Sequence, residues 1–260
     1  MKYLRLFLSF ARTSFIADME YRVNFLSRIL TDVIWYVAQI VTFETLFQFS
    51  DKIGGWTLPE MRVFLGLIFI VDGIYMVLFQ ANLDSMTEKI RKGDMDLLLT
   101  KPVSSQFMMS LQRTSTAMLG NLIIGTSWLI YSIISLENFE WIRLAWLIFL
   151  LPIAVITTYS LRMLVSTVSV IVTRADYLQF AWYQITRLGL RPDKMYAPFL
   201  RYIVLTIIPL AATASVPARA LLDPPEVGLF IWIGFVSGFF LWLTTKFWNY
   251  ALKHYTSASS

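Results

Sequence analysis

The sequence predicts an all-α integral membrane protein whose six transmembrane helices form one bundle. Of its 260 residues, 57% are hydrophobic and 15% charged, well above the roughly 45–50% apolar content of soluble domains, and the mean hydropathy is +0.62. Apolar runs of about 20 residues, long enough to cross a hydrocarbon core, recur at 25–49, 60–82, 107–136, 142–172, 198–217 and 226–248. The breaks between them, such as "SDKIGGW" and "LENFEW", are short, so the spans should pack as antiparallel neighbours. Twenty Phe, nine Trp and twelve Tyr suit lipid-facing surface and headgroup belts. A single transmembrane domain over 1–260 is predicted, with no second domain and no obvious repeat.

The elements follow in order. Residues 1–22 place Lys2, Arg5, Ser9 and Arg12 at steps of three or four, which predicts an amphipathic helix lying in the interface; the alternative is a lengthened start of the first span. Arg5, Arg12, Asp18 and Glu20 interrupt any signal-peptide core. Lys and Arg cluster before span one, in the loop 84–106, between 174 and 201, and in the tail 249–260. Seventeen fall on that side against Lys52, Arg62, Arg143 and Arg219 on the other, so the positive-inside rule puts both termini in the cytoplasm. The same scatter explains the net charge of +5 as topology, with no nucleic-acid partner. Residues 173–197 are too polar to cross alone and predict an inner-leaflet helix ending in a turn at Pro192. Pro217, Pro224 and Pro225 then bracket a short apolar helix that is re-entrant or interfacial, since unpaired backbone cannot face lipid.

Glu44, Asp72 and Arg162 fall inside predicted spans, where a charge facing lipid costs about 2.5–3.5 kcal/mol. They are expected to face protein or water, either as structural pairs or as part of a polar cavity, and the sequence does not say which acid meets Arg162.

Much chemistry is excluded. Without cysteine there is no disulfide, thiol catalysis or Cys-based metal site. The lone His254 lies in the tail, which rules out His-based metal clusters and triads. No GxxxxGK[ST] loop occurs, so no cofactor and no ATP are expected on this chain. Gradient-driven transporters usually show repeated halves and buried ionisable groups; here charge within the spans is sparse and no halves match. A permease energised by a separate subunit remains, and it needs a docking surface.

The loop 84–106 has the character of one. Its acid-rich start and basic end predict a short helix, Gly93 supplies a left-handed stop, Asp94 or Asp96 can cap a following turn through Leu97, Leu98 and Leu99, and Pro102 fixes the re-entry. Topology alone would require only Lys and Arg. "GDMDLLLTKPVSSQF" (93–107) resembles the Gly-x-Leu-Asp-x-x-Leu-Leu-Lys-Pro loop of bacterial type-2 ATP-binding-cassette (ABC) permeases, with Met95 in place of Leu, Asp96 on the Asp, and Lys101 with Pro102 on the Lys-Pro. "LRYIVLTIIPLAATASVPARALL" (200–222) is similar to a second, weaker motif of that family.

The resemblance implies a permease subunit of an exporter in the bacterial inner membrane. It would pair with a second copy or a paralogue and with two ATPase subunits, which bind the ATP and Mg. Lys89, Arg91, Lys92, Gly93, Asp94, Asp96, Leu97, Lys101 and Pro102 would then contact the ATPase, and membrane lipids would surround the spans. An energy-coupling importer component or an ATP-independent channel or scaffold are the alternatives.

Overall fold

In the computed structural model, residues 2–20, 22–137, 139–172 and 176–255 are described. Thr173, Arg174 and Ala175 of the expected inner-leaflet segment, 256–260 of the tail, and the Arg22 side chain lie outside the described residues. Among those described, all regular structure is helical apart from one isolated bridge between Ile53 and Trp56.

α1 (Lys2–Glu20) and α2 (Arg22–Leu46) lead to a turn at Gly54 and Gly55, both with positive φ. α3 (Leu58–Tyr75) then starts where Glu60 accepts hydrogen bonds from the backbone and hydroxyl of Thr57, at 2.7 and 2.8 Å, with Pro59 in its first turn. The helix continues through a π-helical turn (Met76–Gln80), α4 (Ala81–Asp84) and α5 (Met86–Arg91), so that one rod spans Leu58–Arg91. Val63 to Val71 are buried all round, the mark of a helix enclosed by others.

α8 (Leu119–Ile134) lies close against α3 because glycines line the crossing. A Cβ on Gly66 would come within 2.9 Å of Leu129, and one on Gly125 within 2.9 Å of Phe69. Small residues of this kind let backbones approach where lipid provides no hydrophobic drive. α9 (Ala145–Ile171) and α13 (Val227–Lys253) are joined by hydroxyls: Thr157 and Ser237 sit 2.6 Å apart, and Thr244 donates to the Ser160 carbonyl at 3.0 Å. α2 is the outlier, burying Tyr36 and Phe43 while Leu26, Leu30, Ile34 and Val37 stay exposed.

Among the described residues, five helices are long and apolar enough to cross a membrane: Phe25–Leu46, Leu58–Arg91, Thr116–Ile134, Trp141–Ile171 and Val227–Lys253. The third starts later than its apolar run, because "RTST" breaks the chain after a separate α7 (Ser105–Leu111). We call the end of the bundle that carries 84–106 proximal and the end with loop 50–57 distal.

The run 198–217 is not one continuous helix; its apolar helical part is the shorter Pro198–Ile207. α11 (Pro198–Tyr202) passes into a π turn (Ile203–Ile207), then Pro209 and a 3-10 turn (Leu210–Ala212), and α12 (Ser215–Leu222) turns back. Leu210 at the tip packs on Leu161 and Trp182. Ala212, Ala214 and Ser215 are almost wholly buried, since small side chains let the hairpin lie against α9 and α3 with its open backbone shielded by protein. The short re-entrant helix expected before the last span is α12.

The described part of the segment 173–197, expected at the inner leaflet, runs along the bundle from the proximal end of α9 towards the distal end. α10 (Asp176–Thr186) and the 3-10 turn Arg187–Leu190 begin beside the proximal end of α9. Tyr183 reaches Arg162, Leu190 joins the distal core, and Met195 lies against Gly54. Fifteen residues at helical rises cover about 25 Å. The segment's buried face carries Trp182 and Gly189, while Gln184 and Arg187 are exposed. Arg191, Lys194 and Arg201 therefore belong to the distal end, where Lys194 pairs with Asp223 at 2.6 Å and Arg201 with Asp193 at 2.8 Å.

The absence of cysteine makes this arrangement directly testable. Single cysteines at Lys52 and Lys194 should be labelled by an impermeant maleimide from one side of the membrane, and one at Lys101 only from the other. Labelling of positions 194 and 101 from the same side would return 173–197 to the proximal leaflet.

Candidate functional site

The segment 84–106 forms two short helices on a rigid mount. α5 ends in an ion pair between Glu88 and Lys92 at 2.6 Å, and that hydrogen bond raises the Lys92 ammonium above its ordinary value. Gly93 takes the left-handed conformation (φ 78°) and its N–H donates to the Ile90 carbonyl at 3.1 Å, as a helix stop requires. α6 (Asp94–Leu99) starts there with Asp94 and Asp96 in its first turn. Acids in that first turn complement the helix dipole.

Arg91, Lys92, Asp94, Leu97, Lys101 and Pro102 are exposed, while Lys89, Gly93 and Asp96 are half-buried. Only Leu97 and Leu99 of the leucine triplet face outward, because Leu98 is buried with Met95. Asp96 is not an open acid: burial first, and then its carboxylate, push the Tyr255 phenol up, which places the tail beside the loop.

Beneath the surface, Met86, Ile90, Met95 and Leu98 pack on Met163 and Val170 of α9 and on Trp248 and Ala251 of α13. Thr87 and Ser169 meet at 2.9 Å, and the Trp248 indole donates to Ser105 at 3.1 Å. α1 runs along the same segment. Lys2 donates to the Pro102 carbonyl at 2.8 Å, Ser14 accepts from the Thr114 amide at 3.1 Å, and Asp18 accepts from the Thr116 amide at 2.9 Å and its hydroxyl at 2.7 Å. Movement of the loop is thus transmitted to α1, α9 and α13 together.

The three charges inside spans separate into different roles. Glu44 pairs with Arg62 at 2.6 Å, tying α2 to α3. Arg162, 3% exposed, binds Asp84 at the end of α4, and its guanidinium lies 5.1 Å from the Tyr183 ring centroid, within cation–π range. Asp72 has neither an ion pair nor a hydrogen bond among the described residues; it lines a cavity of about 170 Å³ enclosed by α3, α9, α10 and the hairpin tip. Arg162 lines the same cavity.

A second, more polar cavity of about 540 Å³ lies on the other side of the π turn, lined by Arg28, Asp32, Asp84 and Arg113 among others. Met76 and Gln80 line both, so the π turn is their shared wall; such turns recur at functional positions. Asp84 and Tyr183 escaped the sequence reading. The one available signal was Asp84 standing at the boundary between an apolar run and a charged loop. Among the described residues no group of His, Cys, Asp and Glu could hold a metal ion.

A helical bundle with a charged, firmly mounted segment at one end and a polar cavity within defines a multi-pass membrane transport protein. The model of the ABC-2 family transporter protein matches residues 33–259, and the chain belongs to that family. No curated protein and no solved structure matches it. ABC-2 permeases are generally non-catalytic membrane subunits and usually work with ABC ATPase subunits.

Proposed function

We propose that this chain is the permease subunit of an ABC exporter in the bacterial inner membrane. Two permeases, identical or paralogous, form the translocation path. Two ATPase subunits, carrying the ATP and Mg, dock on 84–106 from the cytoplasm, where both termini lie. The observation that carries this reading is the link from loop to interior: exposed Arg91, Lys92, Asp94, Leu97 and Lys101 sit on helices whose rod ends in Asp84, which holds Arg162 at the cavity. A docked subunit that shifts α5 and α6 therefore acts on the cavity wall. Lys89, Gly93, Asp96 and Pro102 shape the same surface.

The test is gentle detergent capture of the tagged chain from its host, followed by mass spectrometry and repeated with Asp96→Lys. An ATP-binding subunit should accompany the wild type and be depleted at least several-fold from the variant while membrane insertion is unchanged. Capture of no ATPase would remove the transporter reading, and equal capture by the variant would remove the docking assignment.

A further inference from the structure

The cavity of about 170 Å³ holds three features that the permease role alone does not account for. Its walls are largely apolar and aromatic, with Trp182 and Tyr183 on α10 and Leu161 on α9. Asp72 stands in it without a partner. The Arg162 Nη1 atom, on a side chain 4% exposed, has no hydrogen-bond partner although its other nitrogen binds Asp84.

Charge selects the ligand. Arg162 is already matched by Asp84, which leaves the Asp72 carboxyl as the acid in the lining without a cationic partner. Once ionised it would repel an anion, whereas a cation would hold it ionised and pair with it. The rings of Trp182 and Tyr183 in the same lining also favour cations. The Arg162 Nη1 atom and the Tyr75 hydroxyl, on two residues that line the cavity together, have no hydrogen-bond partner and can donate to a ligand oxygen. Size sets the rest: a cavity of about 150 Å³ admits one benzene, so this one accepts a single small ring system.

We propose that Asp72, Arg162 and the α10 aromatics form a binding site, within a single protomer, for an amine-bearing amphiphile: an organic cation on an apolar body about one ring wide, with an acceptor oxygen. It is the substrate class of the transporter and in that respect rests on the permease reading. Leu210 at the hairpin tip forms part of the cavity wall, packed on Leu161 and Trp182.

The experiment is equilibrium dialysis of the full chain in lipid nanodiscs with radiolabelled 4-methoxyphenethylamine, using 2-(4-methoxyphenyl)ethanol as the uncharged counterpart and empty nanodiscs as background. Wild type should bind the amine saturably at one per chain, with at least tenfold weaker binding in Asp72→Asn and no change for the alcohol. Thr158→Phe, which fills the cavity without altering charge, should abolish amine binding and serves if the first variant folds poorly. Absence of saturable binding to wild type, or binding unchanged in a folded variant, overturns the site. The measurement needs no ATPase, so its outcome is independent of subunit capture: an ATPase captured without amine binding leaves a permease with another substrate, and binding without an ATPase leaves the site but not its role in transport.

Discussion

Asp193→Ala is expected to release the re-entrant hairpin and destabilise the chain by about 3–5 kcal/mol, the usual cost of removing one partner from a buried ion pair. Asp193 has a fully buried side chain. It accepts from Ser215 at 2.5 Å, from Arg201 at 2.8 Å and from Arg219 at 3.2 Å, and its amide donates to Ser215 at 2.9 Å. Arg219, 4% exposed, also binds Glu226 at the start of α13. One carboxylate thus joins the end of α10, both arms of the hairpin and, through Arg219, the last span. Alanine leaves Arg219 half-paired in a dry site, and Asp193→Asn, which keeps the Ser215 contact, should cost less. Removing both charges with Asp193→Leu and Arg219→Met should recover part of the loss. Denaturant midpoints in mixed micelles measure it, and a shift of less than about 1 kcal/mol for alanine would show that the cluster is not what holds the hairpin.

The second large effect is an asymmetry at the pair between α9 and α4. Asp84 has a side chain 35% exposed and borders the larger polar cavity, whereas that of Arg162 is 4% exposed. Arg162→Leu removes a charge from an apolar position, saving roughly 2.5–3.5 kcal/mol of insertion cost, and frees an acid that water can reach; stability should change little. Asp84→Ala strands the guanidinium with only the Tyr183 ring beside it and should cost about 3 kcal/mol or more. Both substitutions cut the connection between α4 and α9, so in the assembled transporter both should lose substrate-stimulated ATP hydrolysis. Equal destabilisation by the two, or stimulation preserved in either, would refute this account.

Much of the fold was legible because membrane solvation imposes length and composition on each span. The runs at 25–49, 60–82, 142–172 and 226–248 correspond to helices with shifted ends, and Gly93 announced its left-handed turn through the sharp change from "KIRK" to "DMD". The last third was harder. "DYLQFAWYQIT" has the polarity of a surface helix, and its contacts with Arg162, Asp84 and the hairpin join residues that are not neighbours in sequence. The pairs of Lys194 with Asp223 and of Arg201 with Asp193 likewise form only through folding. For the candidate site, Arg162 and Asp72 stood out as misplaced charges. Their different fates rest on Asp84, which a linear scan assigns to the loop.

The Asp193 cluster also bears on biosynthesis. Asp193 is made before Arg201, Ser215, Arg219 and Glu226, so its buried carboxylate has its full set of partners only once synthesis reaches the start of α13. The hairpin is therefore expected to take its final seat late, after the helices that precede it are complete.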